Sequence, residues 1–201
     1  MADPGYLRKL RAITRADPTF AHVEALEQEL YASPSDRSAV VMFGSFIETH
    51  LERYLASKMR DALNSDDRQR LFDGNGVAAT FSSKIILAYA FKLIGSITRH
   101  DLDLIRHLRN DFAHSRMPIS FETPEVRAVC DQLQIVDCGG VTIPNGYLQR
   151  IDRGRYAQLS DIKHPKTRFI TTCHSISYRM LVAKGGLREG DFAFPNDDPL
   201  P

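Results

Sequence analysis

Signals for helix starts recur along this chain more clearly than any other feature. A side chain that can cap a helix stands directly before a proline at three points, Asp17-Pro18, Ser33-Pro34 and Thr123-Pro124. Proline is favoured at the first helical position, because its missing N–H has no partner there and its φ is already helical. Helices are therefore predicted to begin near residues 18, 34 and 123.

Apolar residues between these points recur at steps of three and four, the period of an α-helix. This pattern predicts helices over residues 4–16, 18–32, 34–64, 81–97, 99–115 and 123–134, with a last helix after Pro165. The longest is 34–64. The 81–97 helix has apolar residues around its whole circumference, which predicts burial on nearly all sides.

One segment departs from the helical pattern. Residues 135–151 combine turn residues with β-formers, which predicts a short β-hairpin. We therefore expect an all-α protein that carries one hairpin and a C-terminal helix. The expected organisation is N-terminal helices over 1–33 packing on a helical core over 34–135, then hairpin and helix over 136–190, and a loose tail over 191–201.

Charge and cysteine usage limit the possible functions. The formal net charge is only +1, whereas a general nucleic-acid binder usually carries a strong basic excess. Three cysteines without paired spacing favour reduced thiols over disulfides or a zinc site. No signal peptide is recognisable, and the longest apolar run, 85–97, is short for a membrane span. We expect a soluble cytoplasmic protein without metal, cofactor or membrane partner.

Three short segments carry a family resemblance. Residues 104–114 read Leu-Ile-Arg-His-Leu-Arg-Asn-Asp-Phe-Ala-His, Phe-Ser-Ser-Lys-Ile precedes them at 81–85, and Ile-Ser-Phe follows at 119–121. Together they resemble the mannitol operon repressor family, over about residues 35–135. Ser45 and Glu48 in the long helix belong to the likeness, whereas Lys92 stands where the family usually has glycine. The resemblance implies a HEPN-like helical bundle, a regulatory role and a homodimer.

Arg109, Asn110 and His114 also fit the Arg-x(4–6)-His signature of the wider HEPN superfamily, and that resemblance implies a possible ribonuclease. Metal-independent RNA cleavage needs a base near the ribose 2′-hydroxyl and a cation near the phosphate. Histidine titrates near neutrality, and arginine offers a permanently charged planar fork. In this interpretation His114 is the acid/base, Arg109 stabilises the phosphate, and Asn110 orients the substrate or the histidine.

The helical geometry keeps a second interpretation open. Residues five apart on a straight helix point about 140° from each other. Arg109 and His114 can share a ligand only if the last turn unwinds before Pro118, or if a two-fold dimer brings two copies together. Alternatively, the motif is structural: Arg109 pairs with an acid such as Glu48, Asn110 bridges helices, and the helix dipole stabilises His114.

Further candidate binding residues lie in three places. Lys84, Ser82 and Ser83 follow a glycine loop at a helix start and could hold an anion, although an ordinary capped loop has the same pattern. Glu48 and Arg106 come from the family segments. Residues 150–168 carry a local surplus of positive charge, which adds a basic patch at Arg150, Arg153 and Arg155.

The sequence shows no helix-turn-helix, because the helices at 81–97 and 99–115 are too apolar to face a DNA groove. We expect a non-enzymatic transcriptional or post-transcriptional regulator of the mannitol-repressor type. It would be a homodimer that acts through RNA, DNA or a regulatory protein partner. The alternative is a HEPN-type metal-independent endoribonuclease, in a toxin or RNA-processing role, that uses Arg109 and His114. A third interpretation is a helical scaffold whose motif serves packing alone.

Overall fold

The computed structural model describes residues 19–33, 35–59, 64–137 and 162–184, and within these ranges it contains seven α-helices and no β-strand. The prediction of a mostly helical protein is confirmed for this part of the chain. The helices are α1 Phe20–Ala32, α2 Asp36–Ser57, α3 Ser65–Phe72, α4 Phe81–Ala90, α5 Ser96–His114, α6 Pro124–Cys130 and α7 Pro165–Lys184, with a 3-10 helix, Ile135–Asp137, between α6 and α7.

The helix starts follow local capping chemistry. Thr19 caps α1 through a reciprocal capping box with His22. Helix α2 begins at Asp36 and not at residue 34, because Ser35 is its cap and accepts the N–H of Ser38 at 3.2 Å. Helix α7 starts at Pro165, as the sequence predicts. The helix predicted at 4–16 and the tail at 191–201 lie outside the described residues.

Helices α2 and α7 form the centre of the bundle, and α1, α5 and α6 pack around them. The core continues through three aromatic rings: Phe112 of α5 lies 6.0 Å from Phe121, and Phe121 lies 5.6 Å from Phe169 of α7. Each of the three is at most 1% exposed. Side chains of α7 thus belong to the same hydrophobic core as those of α2 and α5.

Helix α4 differs from its prediction in length and in burial. It ends at Ala90, not at residue 97, because the backbone turns there: Lys92 takes φ +57°, its N–H bonds to the Tyr89 carbonyl at 3.0 Å, and the Leu93 N–H bonds to the Ala88 carbonyl at 2.8 Å. These two bonds form a Schellman motif. The predicted burial on nearly all sides is also wrong, since Ile86 is 54% exposed.

The left-handed conformation at residue 92 explains why glycine is the favoured residue there. A side chain at positive φ costs roughly 1–2 kcal/mol, of which the greater unfolded-state freedom of glycine offsets part. We therefore expect Lys92→Gly to raise the free energy of unfolding by about 0.5–1 kcal/mol. Urea denaturation of both proteins measures the change, and a loss of stability would contradict the proposed backbone strain.

Helix α3 and the 3-10 helix were not predicted. Asn64 caps α3 by accepting the N–H of Asp67 at 2.8 Å, and the helix has only Phe72 as a buried residue, so it lacks an apolar stripe. The predicted hairpin begins at residue 135, but Ile135–Asp137 are helical, and 138–151 lie outside the described residues.

Asp101 and Arg168 explain the turn that replaces the start of the hairpin. The buried carboxylate of Asp101 accepts the N–H groups of Gln134 at 3.0 Å and of Ile135 at 2.9 Å. Burial raises the pKa of this carboxyl, against the lowering effect of those N–H groups and of His100. From the other side, Arg168 donates to the carbonyls of Cys130 and Leu133 and to both carboxylate oxygens of Asp137. The backbone between α6 and the 3-10 helix is therefore held at its donors and at its acceptors.

Candidate functional site

A glycine on α2 brings the motif helix unusually close. A Cβ atom at Gly44 would lie 2.8 Å from the Cβ of Arg109 and 2.9 Å from its Cγ, distances that packed side chains do not show. Glycine in the middle of a helix costs about 1 kcal/mol relative to alanine, so its presence has a packing reason here. The stem of Arg109 lies directly on the α2 backbone, and its guanidinium is thereby directed along α2 toward Glu48.

Four charged side chains meet where α2, α4 and α5 join. The guanidinium of Arg109 pairs with Oε2 of Glu48, and Oε1 of Glu48 lies 3.0 Å from the Nζ of Lys84. Lys84 also reaches Oε2 of Glu52 at 2.8 Å. We call these four residues, Arg109, Glu48, Lys84 and Glu52, the charge cluster. Its two positive and two negative charges balance, so the cluster has no net charge to offer a ligand.

Burial differs along the charge cluster. The Lys84 side chain is 5% exposed, that of Glu48 19%, that of Arg109 24% and that of Glu52 32%. The guanidinium also lies 5.8 Å from the ring centroid of Phe81, within the range of a cation–π contact. The inner end is thus screened from water and the outer end is partly wet. Such a cluster joins three helices, which is the structural interpretation that the sequence left open for Arg109.

Arg109 and His114 do not converge within one chain. Helix α5 continues through His114, and the next N–H, that of Ser115, still bonds to the Asp111 carbonyl at 2.8 Å. The last turn is therefore wound, and the two side chains point about 140° apart. His114 is exposed at the helix end, whereas Arg109 faces α2. Of the two routes by which the pair could share a ligand, only a dimer remains.

The other polar residues of α5 have partners on the same helix. Asn110 accepts a hydrogen bond from the guanidinium of Arg109 at 3.0 Å, so it orients that arginine and does not bridge to another helix through this bond. Arg106 lies 3.4 Å from the carboxylate of Asp103 and 2.8 Å from the ring of His107. Arg106 is partly buried and is not part of the charge cluster.

The candidate anion site at the start of α4 is an ordinary capped helix start. Ser83 forms a capping box with Thr80, in which its N–H bonds to the Thr80 hydroxyl at 3.1 Å and its own hydroxyl receives the Thr80 N–H at 3.1 Å. Lys84 points inward to its two carboxylates, and Ser82 is half-buried. The structure therefore does not bring Lys84 and the two serines together around a common ligand position.

The predicted basic patch is smaller than the sequence indicates. Arg150, Arg153 and Arg155 lie outside the described residues. Farther along, Lys166 donates to the Ser33 carbonyl at 2.8 Å, and Arg168 is buried beneath the 3-10 helix. These two cations stabilise the fold, because each one is engaged by groups of other elements, so the surplus of four positive charges is not all available to a partner.

Cysteine and metal chemistry find no support in the residues that the structure describes. Burial raises the pKa of the Cys130 thiol to about 12 and that of Cys173 well above its ordinary value, so neither is a nucleophile at neutral pH. No group of three His, Cys, Asp or Glu side chains in the described ranges could hold a metal ion. None of the described helices combines the length and the apolar character that crossing a bilayer requires.

Sequence reasoning missed Glu52 and Gly44. Glu52 follows Glu48 by four residues and so lies on the same face of α2, which was the available signal. Gly44 was visible as a glycine inside a long helical pattern, which often marks a close approach. Comparisons of the chain with protein-family models, with curated proteins and with solved structures found no match.

Proposed function

We propose that the protein is a non-enzymatic transcriptional or post-transcriptional regulator of the mannitol-repressor type. It acts by binding a protein or a nucleic acid. The resemblance of residues 81–85, 104–114 and 119–121 to that family suggests the role. A homodimer and a HEPN-like bundle are parts of the same proposal.

The observation that carries the non-enzymatic part is the engagement of Arg109. Its guanidinium is neutralised by Glu48 and faces away from His114 on the same wound helix. A phosphate stabiliser must present free donors where negative charge grows in the transition state. An arginine that already has a carboxylate partner would first have to lose it, and the resulting unpaired Glu48 would repel the phosphate.

A ribonuclease would require His114 of one copy to approach Arg109 of another copy. It would also require Glu48 to release the guanidinium. No contact among the described residues favours this arrangement over the structural one, so catalysis is an outcome to be tested and not the proposal.

The test uses His114→Ala, because His114 is exposed and its removal leaves the core intact. In source cells that lack the protein, we expect a limited set of transcripts to change, and we expect the His114→Ala protein to restore them as well as the wild type does. In vitro, neither protein should cleave total RNA in EDTA above the level of a protein-free control.

Two results would overturn this proposal. One is RNA cleavage that survives EDTA and disappears in the His114→Ala protein. The other is a failure of the folded His114→Ala protein to restore the transcripts. Circular dichroism of the variant provides the folding control, and Asp111→Ala, one turn earlier and also exposed, is the matched surface substitution.

A further inference from the structure

The outer side of α4 is apolar where a solvated helix is normally polar. Residues 85–91 read Ile-Ile-Leu-Ala-Tyr-Ala-Phe, without one charged side chain. Phe81, Ile85 and Ala88 are buried against the bundle, whereas Ile86 is 54% exposed and Phe91 65% exposed. A helix that is apolar all round is usually covered on all sides. Here the bundle covers one side only.

The exposed apolar residues share the C-terminal half of the helix. Tyr89 follows Ile86 by three residues, so both lie on the outward face next to α5, and Phe91 stands at the helix end on the side of α2. Tyr89 is itself 39% exposed. With the neighbouring cations Lys92 and Arg99 these three residues form what we call the α4 surface.

The fixed charge around the α4 surface is positive. No aspartate or glutamate occurs from residue 74 to residue 100. Lys92 and Arg99 are exposed, and the guanidinium of Arg99 lies 4.5 Å from the ring centroid of Tyr89, which keeps a cation against the apolar face. The acids next along the chain or across from it do not neutralise this rim, because Asp101 is buried and Glu48 and Glu52 pair with Lys84.

We propose that the α4 surface docks an acidic amphipathic helix of a regulatory protein partner. The partner would lay its apolar stripe on Ile86, Tyr89 and Phe91 and place carboxylates near Lys92 and Arg99, a helix-packing mode of recognition. This inference rests on the proposed regulatory function, since it assigns the partner class of that regulator.

Charge complementarity favours this occupant over the others. In a two-fold contact between two copies, each α4 surface would face another positive rim, and like charges across an interface oppose association. A single-stranded nucleic acid would meet the positive charge, but the aliphatic Ile86 provides no flat ring on which a base can stack. An acidic amphipathic helix matches both the apolar side chains and the sign of the rim.

The probe is a labelled helical peptide of about 18 residues, five turns, with leucine at every third or fourth position and glutamate elsewhere. Fluorescence polarisation with the full chain is expected to show binding that weakens as salt is raised. Phe91→Glu and Arg99→Glu should each weaken it by about tenfold or more. Met42→Glu, at another exposed apolar residue on α2, should leave it unchanged.

Several outcomes would overturn the proposal. They are absence of peptide binding, equal binding of a peptide with lysine in place of glutamate, and equal loss in the Met42→Glu control. A uridine-rich RNA or phosphatidylglycerol vesicles that bind in a Phe91-dependent way while the peptide does not would assign the surface to that ligand instead. Self-association by sedimentation equilibrium that Phe91→Glu abolishes would assign it to a second copy. None of these results changes RNA cleavage or transcript restoration, so they leave the regulatory proposal standing.

Discussion

Replacement of Glu48 by glutamine is expected to lower the free energy of unfolding by about 2–3 kcal/mol. Breaking a fully buried ion pair costs roughly 3–5 kcal/mol, and the partial exposure of Arg109 and Glu48 reduces that figure. Glutamine keeps the shape of the side chain but presents an amide N–H₂ to one of two cations that both need a carboxylate. Arg109 loses its counter-charge entirely, while Lys84 retains Glu52.

The matched control is Glu52→Gln on the same face of α2. Glu52 is the more exposed carboxylate of the charge cluster and contacts only Lys84 in it, so its loss should cost less than about 1 kcal/mol. Urea denaturation of the two variants and the wild type gives the comparison. Equal losses in the two variants would mean that Glu48 does not link the three helices as described.

Arg168→Met is expected to destabilise the fold by about 3 kcal/mol. The side chain is buried beneath the 3-10 helix, and its removal leaves the carbonyls of Cys130 and Leu133 without their donor. A buried polar group that loses its partner costs roughly 1–3 kcal/mol. Asp137 adds little to this figure, because its side chain is 60% exposed and can be rehydrated.

Two further variants make the Arg168 prediction specific. Arg168→Lys keeps the charge but has no planar fork, so it should recover only part of the lost stability. Arg127→Met removes an exposed pair with Glu122 and should change stability by less than about 1 kcal/mol. Thermal unfolding followed by circular dichroism ranks the three proteins. A drop for Arg127→Met as large as that for Arg168→Met would contradict the assignment.

The fold class could be predicted because it depends on local chemistry. Capping residues and the 3.6-residue period depend on neighbours in sequence, and they place α1, α2, α5 and α7 within a few residues of their observed bounds. The end of α4 could not be predicted this way. The apolar pattern continues through Leu93 and Ile94, but these residues belong to a turn that Lys92 forms at positive φ.

The candidate site was predictable in its members and not in its connections. The sequence singled out Arg109, Glu48 and Lys84, and it named the Arg109–Glu48 pair as one interpretation. That Lys84 takes part in the same cluster follows from the crossing of α2 and α4, which no local pattern encodes. Arg168 was counted with a surface patch because its buried acceptors come from residues more than thirty positions away.

The central position of α7 has a consequence for synthesis of the chain. A ribosome releases α7 after every helix that it packs against, including α2, more than a hundred residues earlier. Until then the apolar faces of α1, α2 and α5 that surround α7 remain open to water and to other nascent chains. The helices made first must therefore wait for the last one before the interior closes, and during this interval the chain is most exposed to aggregation and most in need of chaperones.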